Sequence, residues 1–468
     1  MADSVDIAVL GAGPAGMAAA VISANAGLKV AVLDDQAVPG GQIWRNVEAV
    51  AARGDLGLFG DDYAAGVDAV ADFRATDVDY RPLSRVIGVE GADIGGDVLY
   101  VRDGKAGRLH AKRLIIALGA YERPMPFLGW TLPGVMTAGA AQIALKTGGL
   151  LPKRPFVLAG QGPLLLLLAA QFRAAGAAPD VLLRLDDPGR KWSAGKHGLR
   201  ALAGFSDLLK GLKWQRALSD DVGKTIAGVT QLEASGGDRL AAVHWQTADG
   251  MAGEAKAATL LVHDGVIPNA QLTRAMRIPH RYDAAAAAWS PEASTDGQLA
   301  DTDWAYVAGD NAGILGWAAA TATGAKAGAA AAAALSAKAA VSNDVDRRLG
   351  RARAVRPLLD ALYPPAQAFT AISDDTVICR CEAIKAGAVR EALAMGAQGP
   401  NQIKAFLRTG MGPCQGRMCA YTVAALAAEA QGTALADTDL MRLRMPISPV
   451  TVAEMAHLNE TDMDLPTA

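Results

Sequence analysis

The sequence predicts an α/β fold with two Rossmann-like dinucleotide-binding domains and a small C-terminal helical domain. Three observations carry that prediction. A strand, glycine turn, helix and second strand occupy residues 6 to 35, and the same pattern returns at residues 154 to 187. All four cysteines lie in the last fifth of the chain, spaced C-x-C, 32 residues, C-x4-C.

The totals agree with a large globular protein. At 468 residues the chain can bury the cores of two or three domains. Hydrophobic residues make up 51% and charged residues 20%, which excludes a disordered chain. With 45 basic against 48 acidic residues, the balance argues against a nucleic-acid surface. "MADSVD" runs directly into the strand-like "IAVL", so no signal peptide is expected. "PLLLLLAA" is too short to span a bilayer, and Lys326 and Lys338 interrupt the alanine-rich run from Trp317 to Val341, which reads as a packed helix. Few cysteines and no export signal point to a reducing cytoplasm.

The first unit, "DIAVLGAGPAGMAAAVISANAGLKVAVLDD", fits G-x-G-x-x-G with Gly11, Gly13 and Gly16, and Pro14 opens the helix. Gly11 allows the tight turn, Gly13 lets backbone approach a pyrophosphate, and Gly16 lets helix pack on strand. Asp34 follows at the end of the second strand, placed to accept hydrogen bonds from a ribose. The apolar strand "RLIIALGAYERP" ends in Gly119, and "YVAGDNAGILGW" places Gly309-Asp310 before a long helix. Such a Gly-Asp turn brings a carboxylate to the ribitol and pyrophosphate side of a flavin, and the helix aims its positive end at the ring. Those segments favour FAD over NAD, although on these residues alone Asp310 also reads as an ordinary aspartate near a helix start.

The second unit keeps Gly160 and Gly162 but has Leu165 at the third glycine position. Arg184, Asp186 and Asp187 follow its second strand; the acidic pair suits a free ribose and Arg184 a phosphorylated one. A scaffold with a weakened or repurposed nucleotide site fits these residues equally well. Two such units, the FAD half split around the second, describe a two-dinucleotide-domain flavoprotein of glutathione-reductase-like architecture. Residues 1 to 378 contain no cysteine, so disulfide-reductase chemistry is excluded.

The arginine-rich "RRLGRARAVR" (347 to 356) reads as a connecting helix before Pro364-Pro365, its arginines a solvated face or a docking patch for an acidic partner. Beyond it, short helices are expected. Val389 and Leu393 form an apolar pair ended by Gly396, Asn401 is an N-cap candidate, and Val423 and Leu426 mark a helix after the last cysteine. A C-x-C pair does not readily close on itself, and the compartment disfavours disulfides. Zinc suits C-x4-C but not C-x-C, and no histidine lies between Cys379 and Cys419. A [2Fe–2S] cluster on four thiolates fits better, with Gly410, Gly412 and Gly416 letting backbone N–H groups approach it. The expected boundaries are 1–122 with 283–345 for the split FAD domain and 123–282 for the second, NAD(P)-type domain. A linker at 346–370, the [2Fe–2S] domain at 371–435, and a tail at 436–468 offering a partner contact complete the chain.

Six segments, "VPGGQIWR", "ALGAYERPMPFLGWTLPGVMTAGAAQ", "HDGVIPNAQLTRA", "YVAGDNAGILG", "CRCEAI" and "GMGPCQGRMC", occur in order. Together they resemble the FAD-carrying α or A subunits of bacterial opine oxidases (opine dehydrogenases), of hydrogen cyanide synthase and of D-hydroxyproline dehydrogenase. The resemblance runs from residue 5 to the tail "RLRMPISPV", and the cysteine module is similar to the small [2Fe–2S] domain related to bacterioferritin-associated ferredoxin. It implies that Gly40, Gly41 and Gln42 lie near FAD and that Cys379, Cys381, Cys414 and Cys419 ligate the cluster. It also implies a catalytic flavoprotein β subunit that oxidises the substrate, and a further small ferredoxin-like subunit. The shortened second fingerprint is common in such subunits, and the second nucleotide stays open among NAD(P), ATP and an FMN at the subunit interface. His197, His244, His263 and His280 are scattered and read as satisfied histidines, His263 beside Asp264 being the least bland; no catalytic base stands out. The expected function is electron transfer within a heteromeric amino-acid or opine dehydrogenase. The alternatives are a self-sufficient NAD(P)H-dependent FAD oxidoreductase and a non-catalytic redox scaffold or sensor.

Overall fold

The computed structural model describes residues 3–186, 189, 194–201, 223–365 and 372–460. Its first sheet has seven strands. Ser4–Leu10 lies between Val30–Leu33 and Lys105–Ile116, all parallel, with Asp79–Arg81 parallel beyond Val30–Leu33. Where these strands pair most deeply, at Ile7–Leu10, Val30–Leu33 and Leu114–Ile116, they are apolar and buried because both faces are covered, as parallel sheets require. Arg85–Gly91 and Gly96–Arg102 extend the sheet antiparallel, and Ala305–Val307 returns from far along the chain to pair with Lys105–Ile116.

The return brings the helix Trp317–Ala333 onto the fingerprint helix Pro14–Asn25. Their contact is too close for side chains: a Cβ on Gly324 would stand 2.0 Å from the Ala15 carbonyl oxygen, and one on Gly328 2.6 Å from that of Ala19. The alanine run is therefore a backbone-to-backbone packing surface, and its helix stops at Ala333 rather than continuing to Val341. Among the described residues no helix is long and apolar enough to cross a membrane.

A second, fully parallel sheet orders Lys224–Ile226, Val181–Arg184, Phe156–Gly160, Thr259–His263 and Val135–Thr137. A three-stranded antiparallel sheet spanning Val229–Ser235, Ala242–Thr247 and Ala252–Lys256 is inserted between its strands Lys224–Ile226 and Thr259–His263. The two large sheets are joined by Ala120–Glu122 running antiparallel to Val266–Pro268.

The arginine stretch does form a helix, Asp344–Leu362, but it is not simply a solvated face. Arg356 donates to Ile314 O at 2.8 Å and pairs with Asp360 at 2.7 Å, while Arg347, Arg348 and Arg351 border a cavity beside the second glycine turn. After residue 371 a two-stranded ribbon, Val377–Cys379 with Ile384–Lys385, precedes helices Ala386–Ala394, Pro400–Leu407 and Ala420–Gln431. Ile378, Val389, Ile403, Val423 and Met441 form their core. Asn401 is not the N-cap: Gly399 caps that helix and Pro400, lacking an N–H, takes its first position. Asn401 Oδ1 instead accepts from Arg442 N at 2.8 Å.

The module is docked on the rest of the chain by aromatic rings. Trp289 packs on Tyr421 at 5.1 Å between centroids, and the Arg380 guanidinium lies 5.1 Å from the Trp130 ring centroid. The tail then crosses back to the first sheet. Ile447 N donates to Ile87 O, Arg85 pairs with Glu454, and Val450, Met455 and Leu458 cover Ile87, Leu99, Val101 and Ala106. Val450, Met455 and Leu458 of the tail thus pack on the tail's own chain while Val452 is exposed, and residues 461–468 lie outside the described residues.

Candidate functional site

At the first turn, Gly11 has φ 97° and a Cβ there would stand 2.6 Å from Ala117 O; on Gly16 it would meet Gly11 O at 1.8 Å. Gly13 caps the fingerprint helix and Pro14 occupies its first position, so the helix N–H groups face the turn. Gly41 folds onto it, where a Cβ would lie 2.8 Å from Gly13 Cα, and Gln42 follows with its side chain on Arg45. Gly40 N donates to Ala12 O at 2.8 Å.

Asp34 is buried at the end of the second strand. Its Oδ2 accepts from Ala12 N at 2.5 Å and its Oδ1 from Gln36 N at 2.8 Å. Burial nevertheless pushes its carboxyl up to about 6. Gly119 (φ 66°) faces open space, while Gly309 (φ 71°) packs on Ala15. Asp310 accepts from Leu315 N at 3.1 Å and Gly316 N at 3.3 Å, and burial raises its pKa. The sequence-derived residues Gly11, Gly13, Pro14, Gly16, Asp34, Gly41, Gln42, Gly119, Gly309 and Asp310 therefore gather around one helix N-terminus. Donors for a pyrophosphate, a carboxylate for a ribose and an open floor at Gly119 fit FAD.

The second turn is built differently. Gly160 needs glycine because a Cβ would lie 2.0 Å from His263 O, and Gly162 (φ 90°) caps the helix Pro163–Ala174. Leu165 is buried in the core rather than facing a ligand. The turn is engaged by its own chain: Gln161 Nε2 donates to Asp264 Oδ1 at 2.7 Å and to Pro364 O at 2.6 Å. Arg184 and Asp186 pair with each other, Nε to Oδ1 at 2.9 Å; Asp187 lies outside the described residues. A cavity of about 910 Å³ lies alongside, reached by Gly162, Gly316, Arg347, Arg351 and Arg356. His263 Nδ1 contacts Glu122 at 2.8 Å, His244 contacts Ser235 at 2.7 Å and His280 contacts Thr273 at 2.9 Å. His197 ends a short helical turn.

The thiols converge in pairs. Cys379 faces Cys419, and Cys381 faces Cys414. The Cys379 thiol is held down to about 6, chiefly by Cys419, with help from the backbone N–H groups of Gly410, Glu382 and Cys381. Burial pushes Cys381 up. Gly412 has no room for a side chain, since a Cβ would lie 2.3 Å from Cys381 Cβ; on Gly410 it would lie 2.0 Å from Met441 Sδ. Among the described residues no three His, Cys, Asp or Glu side chains converge tightly enough for a single metal ion. An all-sulfur donor set arranged two by two, ringed by N–H donors, fits a two-iron cluster in which each iron takes two thiolates.

Three residues at these sites carried no functional signal in the sequence. Lys146 is 2% exposed and donates to Gln42 O at 3.1 Å and Ile43 O at 2.9 Å, with burial and then Arg45 lowering its pKa to about 7. Asn311 is fully buried behind Asp310, and Gln271 is buried against the cysteine loop. Gln271 lies within the quoted segment "HDGVIPNAQLTRA" and Asn311 within "YVAGDNAGILG"; nothing local marks Lys146.

Comparison with known proteins identifies the two domains that carry these residues. Residues 5–328 match the family model "Pyridine nucleotide-disulphide oxidoreductase", and residues 377–429 match "BFD-like [2Fe-2S] binding domain". The chain is 39% identical to the A subunit of opine oxidase from Rhizobium meliloti, over 97% of this chain and 88% of that one. It is 31% identical to the HcnB subunit of hydrogen cyanide synthase from Pseudomonas protegens, over 96% of both chains. Among solved structures, L-proline dehydrogenase from P. horikoshii has a TM-score of 0.71 at 20% identity, over 96% of this chain and 79% of that one, a likeness of fold. The chain belongs to the family formed by the A subunits of opine oxidases with the HcnB subunits of hydrogen cyanide synthases, oxidoreductases in which a glutathione-reductase-like FAD fold continues into a BFD-like [2Fe–2S] domain.

Proposed function

We propose that the chain is the electron-transferring subunit of a heteromeric amino-acid or opine dehydrogenase, working in the cytoplasm with a catalytic flavoprotein β subunit. FAD would be held by Gly11, Gly13, Pro14, Gly16, Asp34, Gly41, Gln42, Gly119, Gly309 and Asp310, and the cluster by Cys379, Cys381, Cys414 and Cys419. When bound, FAD supplies two-electron chemistry and the [2Fe–2S] group supplies single-electron chemistry. The observation that carries the reading is the pairing of four thiols, ringed by backbone N–H groups, on the same chain as the cradle at the first glycine turn. The chain's own residues bind the pyrophosphate at the fingerprint helix, orient the ribose at Asp34 and shape the cluster loop through Gly412.

The second reading, direct reduction by NAD(P)H at Gly160 and Gly162, is favoured by the arginine-lined cavity beside that turn. That cavity would take the second nucleotide, whether NAD(P), ATP or an FMN shared with the partner. Against a nicotinamide stands the turn's engagement by Pro364 through Gln161. Mixing the isolated chain anaerobically with NADH or NADPH separates the readings: the leading one expects no flavin bleaching until the co-expressed β subunit, together with an opine, is supplied. Rapid bleaching by NAD(P)H, or full opine oxidation by the isolated chain, would overturn it.

A further inference from the structure

The segment Asn269–Ala270–Gln271 runs between the two cradles and is bonded to both. At its start Asn269 N donates to Gly119 O at 2.9 Å, and Asn269 O accepts from Asn311 Nδ2 at 2.8 Å. Asn311 in turn accepts from Leu118 N at 3.3 Å. Gly119 is among the positions assigned to FAD, and Asn311 follows Asp310, another of them. At the segment's end Gln271 is 4% exposed. Its Nε2 donates to the carbonyl oxygens of Cys414 and Gln415, each at 3.0 Å, and its Oε1 accepts from Arg417 Nε at 3.0 Å and Nη2 at 2.7 Å. Both amide donors and the acceptor oxygen are thus committed to the cysteine loop. Arg274, one helical turn on, donates to Met441 O behind the same loop.

We propose that Gln271 is a positioning residue for internal electron transfer, holding the Cys414 loop on the segment that borders the flavin, so that the electron leaves FAD for the cluster through Asn269–Gln271. The inference rests on the FAD/[2Fe–2S] reading above. Electron transfer slows exponentially with distance and more steeply across empty space than through bonds. Here three residues and a hydrogen bond at each end bridge the flavin border to the carbonyl of a cluster cysteine. Each passage takes one electron from reduced FAD and gives one to the oxidised cluster. No heavy-atom bond changes, the flavin's protons go to solvent, and a one-electron carrier of the ferredoxin class reoxidises the cluster between passages.

Gln271→Met keeps the side-chain volume and removes the four hydrogen bonds. In the full-length holoprotein, a laser flash with deazariboflavin puts one electron on the flavin, and its arrival at the cluster is followed by absorbance. The variant is expected to slow that arrival at least tenfold, with iron content, the cluster's EPR g-values and both reduction potentials as in wild type. Gln271→Asn, whose amide is one carbon too short, should slow it similarly. Arrival within twofold of wild type, at intact cluster and potentials, overturns the proposal. If Gln271→Met and Gln271→Asn do not assemble a cluster, Arg417→Met, which strips only the bonds to Oε1, is the deciding variant: slowing of threefold or more supports the role and an unchanged rate overturns it. If Arg417→Met also lacks a cluster, hydrogen exchange of residues 410–419 in the cluster-free chains decides, faster exchange in Gln271→Met supporting the role and unchanged exchange overturning it. A wild-type chain whose cluster never receives the flavin's electron would refute the FAD/[2Fe–2S] reading instead.

Discussion

Lys146→Met is the perturbation whose outcome the structure fixes most fully. Lys146 sits on the helix Ala138–Gly148 and reaches across to the Gly40–Gln42 loop of the first domain, its ammonium on Gln42 O and Ile43 O and 5.2 Å from the Tyr63 ring centroid. Burial, reinforced by Arg45, lowers its pKa from a lysine's ordinary 10.5 to about 7. At ~1.4 kcal/mol per pH unit, that drop makes the charged form ~5 kcal/mol harder to accommodate in the folded chain than in the unfolded one. The sign follows from proton binding. Between pH 7 and 10.5 the unfolded chain holds the proton that the folded chain has released, so this lysine makes stability rise with pH across that window. Below pH 7 both states are protonated and the full penalty applies. Methionine removes the titration but leaves two carbonyls without their donor, a loss of ~1–3 kcal/mol each. Stability of wild type relative to Lys146→Met, measured by thermal melts of FAD-loaded protein from pH 6 to 10, should therefore climb by up to ~1.4 kcal/mol per pH unit above pH 7. The variant should match or exceed wild type at pH 6 and fall behind by pH 10. Parallel curves would mean that Lys146 does not titrate in this range and that its burial does not hold the ammonium off.

Gly412→Ala places a methyl 2.3 Å from Cys381 Cβ and should abolish cluster incorporation while leaving FAD content unchanged, as read by iron and flavin analysis. Gly324→Val forces the two packed helices apart at the Ala15 carbonyl; it should cost ~3 kcal/mol or more and lower FAD retention, measured by melting and by flavin released on gel filtration.

The cofactor cradles were legible because they are local. A glycine at a positive φ, such as Gly11, or one pressed on backbone, such as Gly16, leaves a fixed spacing in the sequence that no other residue satisfies, whereas Gly41 was reached only through the family resemblance. The cysteine spacing is equally short-range. What escaped was one local rule and several contacts made far along the chain. Asn401 lost the N-cap to Gly399 because Pro400 takes the first helical position, a local rule that outranks a capping side chain. The arginines of 347–356 are mostly exposed, as a solvated face requires, but nothing in their spacing tells that the second glycine turn lies opposite Arg347, Arg348 and Arg351. Lys146 and Gln271 are buried polar side chains whose partners lie about a hundred residues away or more, and burial of that kind leaves no periodic trace. The tail reads as a partner contact, and nothing in its sequence tells that Val450, Met455 and Leu458 also cover Ile87 and Leu99.

We infer that one chain joins an FAD cradle to a [2Fe–2S] cluster on Cys379, Cys381, Cys414 and Cys419. The direct measurement is low-temperature EPR of the full-length protein after anaerobic reduction with dithionite, compared with Cys414→Ala. A rhombic [2Fe–2S] signal approaching one spin per chain is expected, lost in the variant while FAD stays bound. A chain that is EPR-silent and carries zinc, or a signal that survives without Cys414, would contradict it.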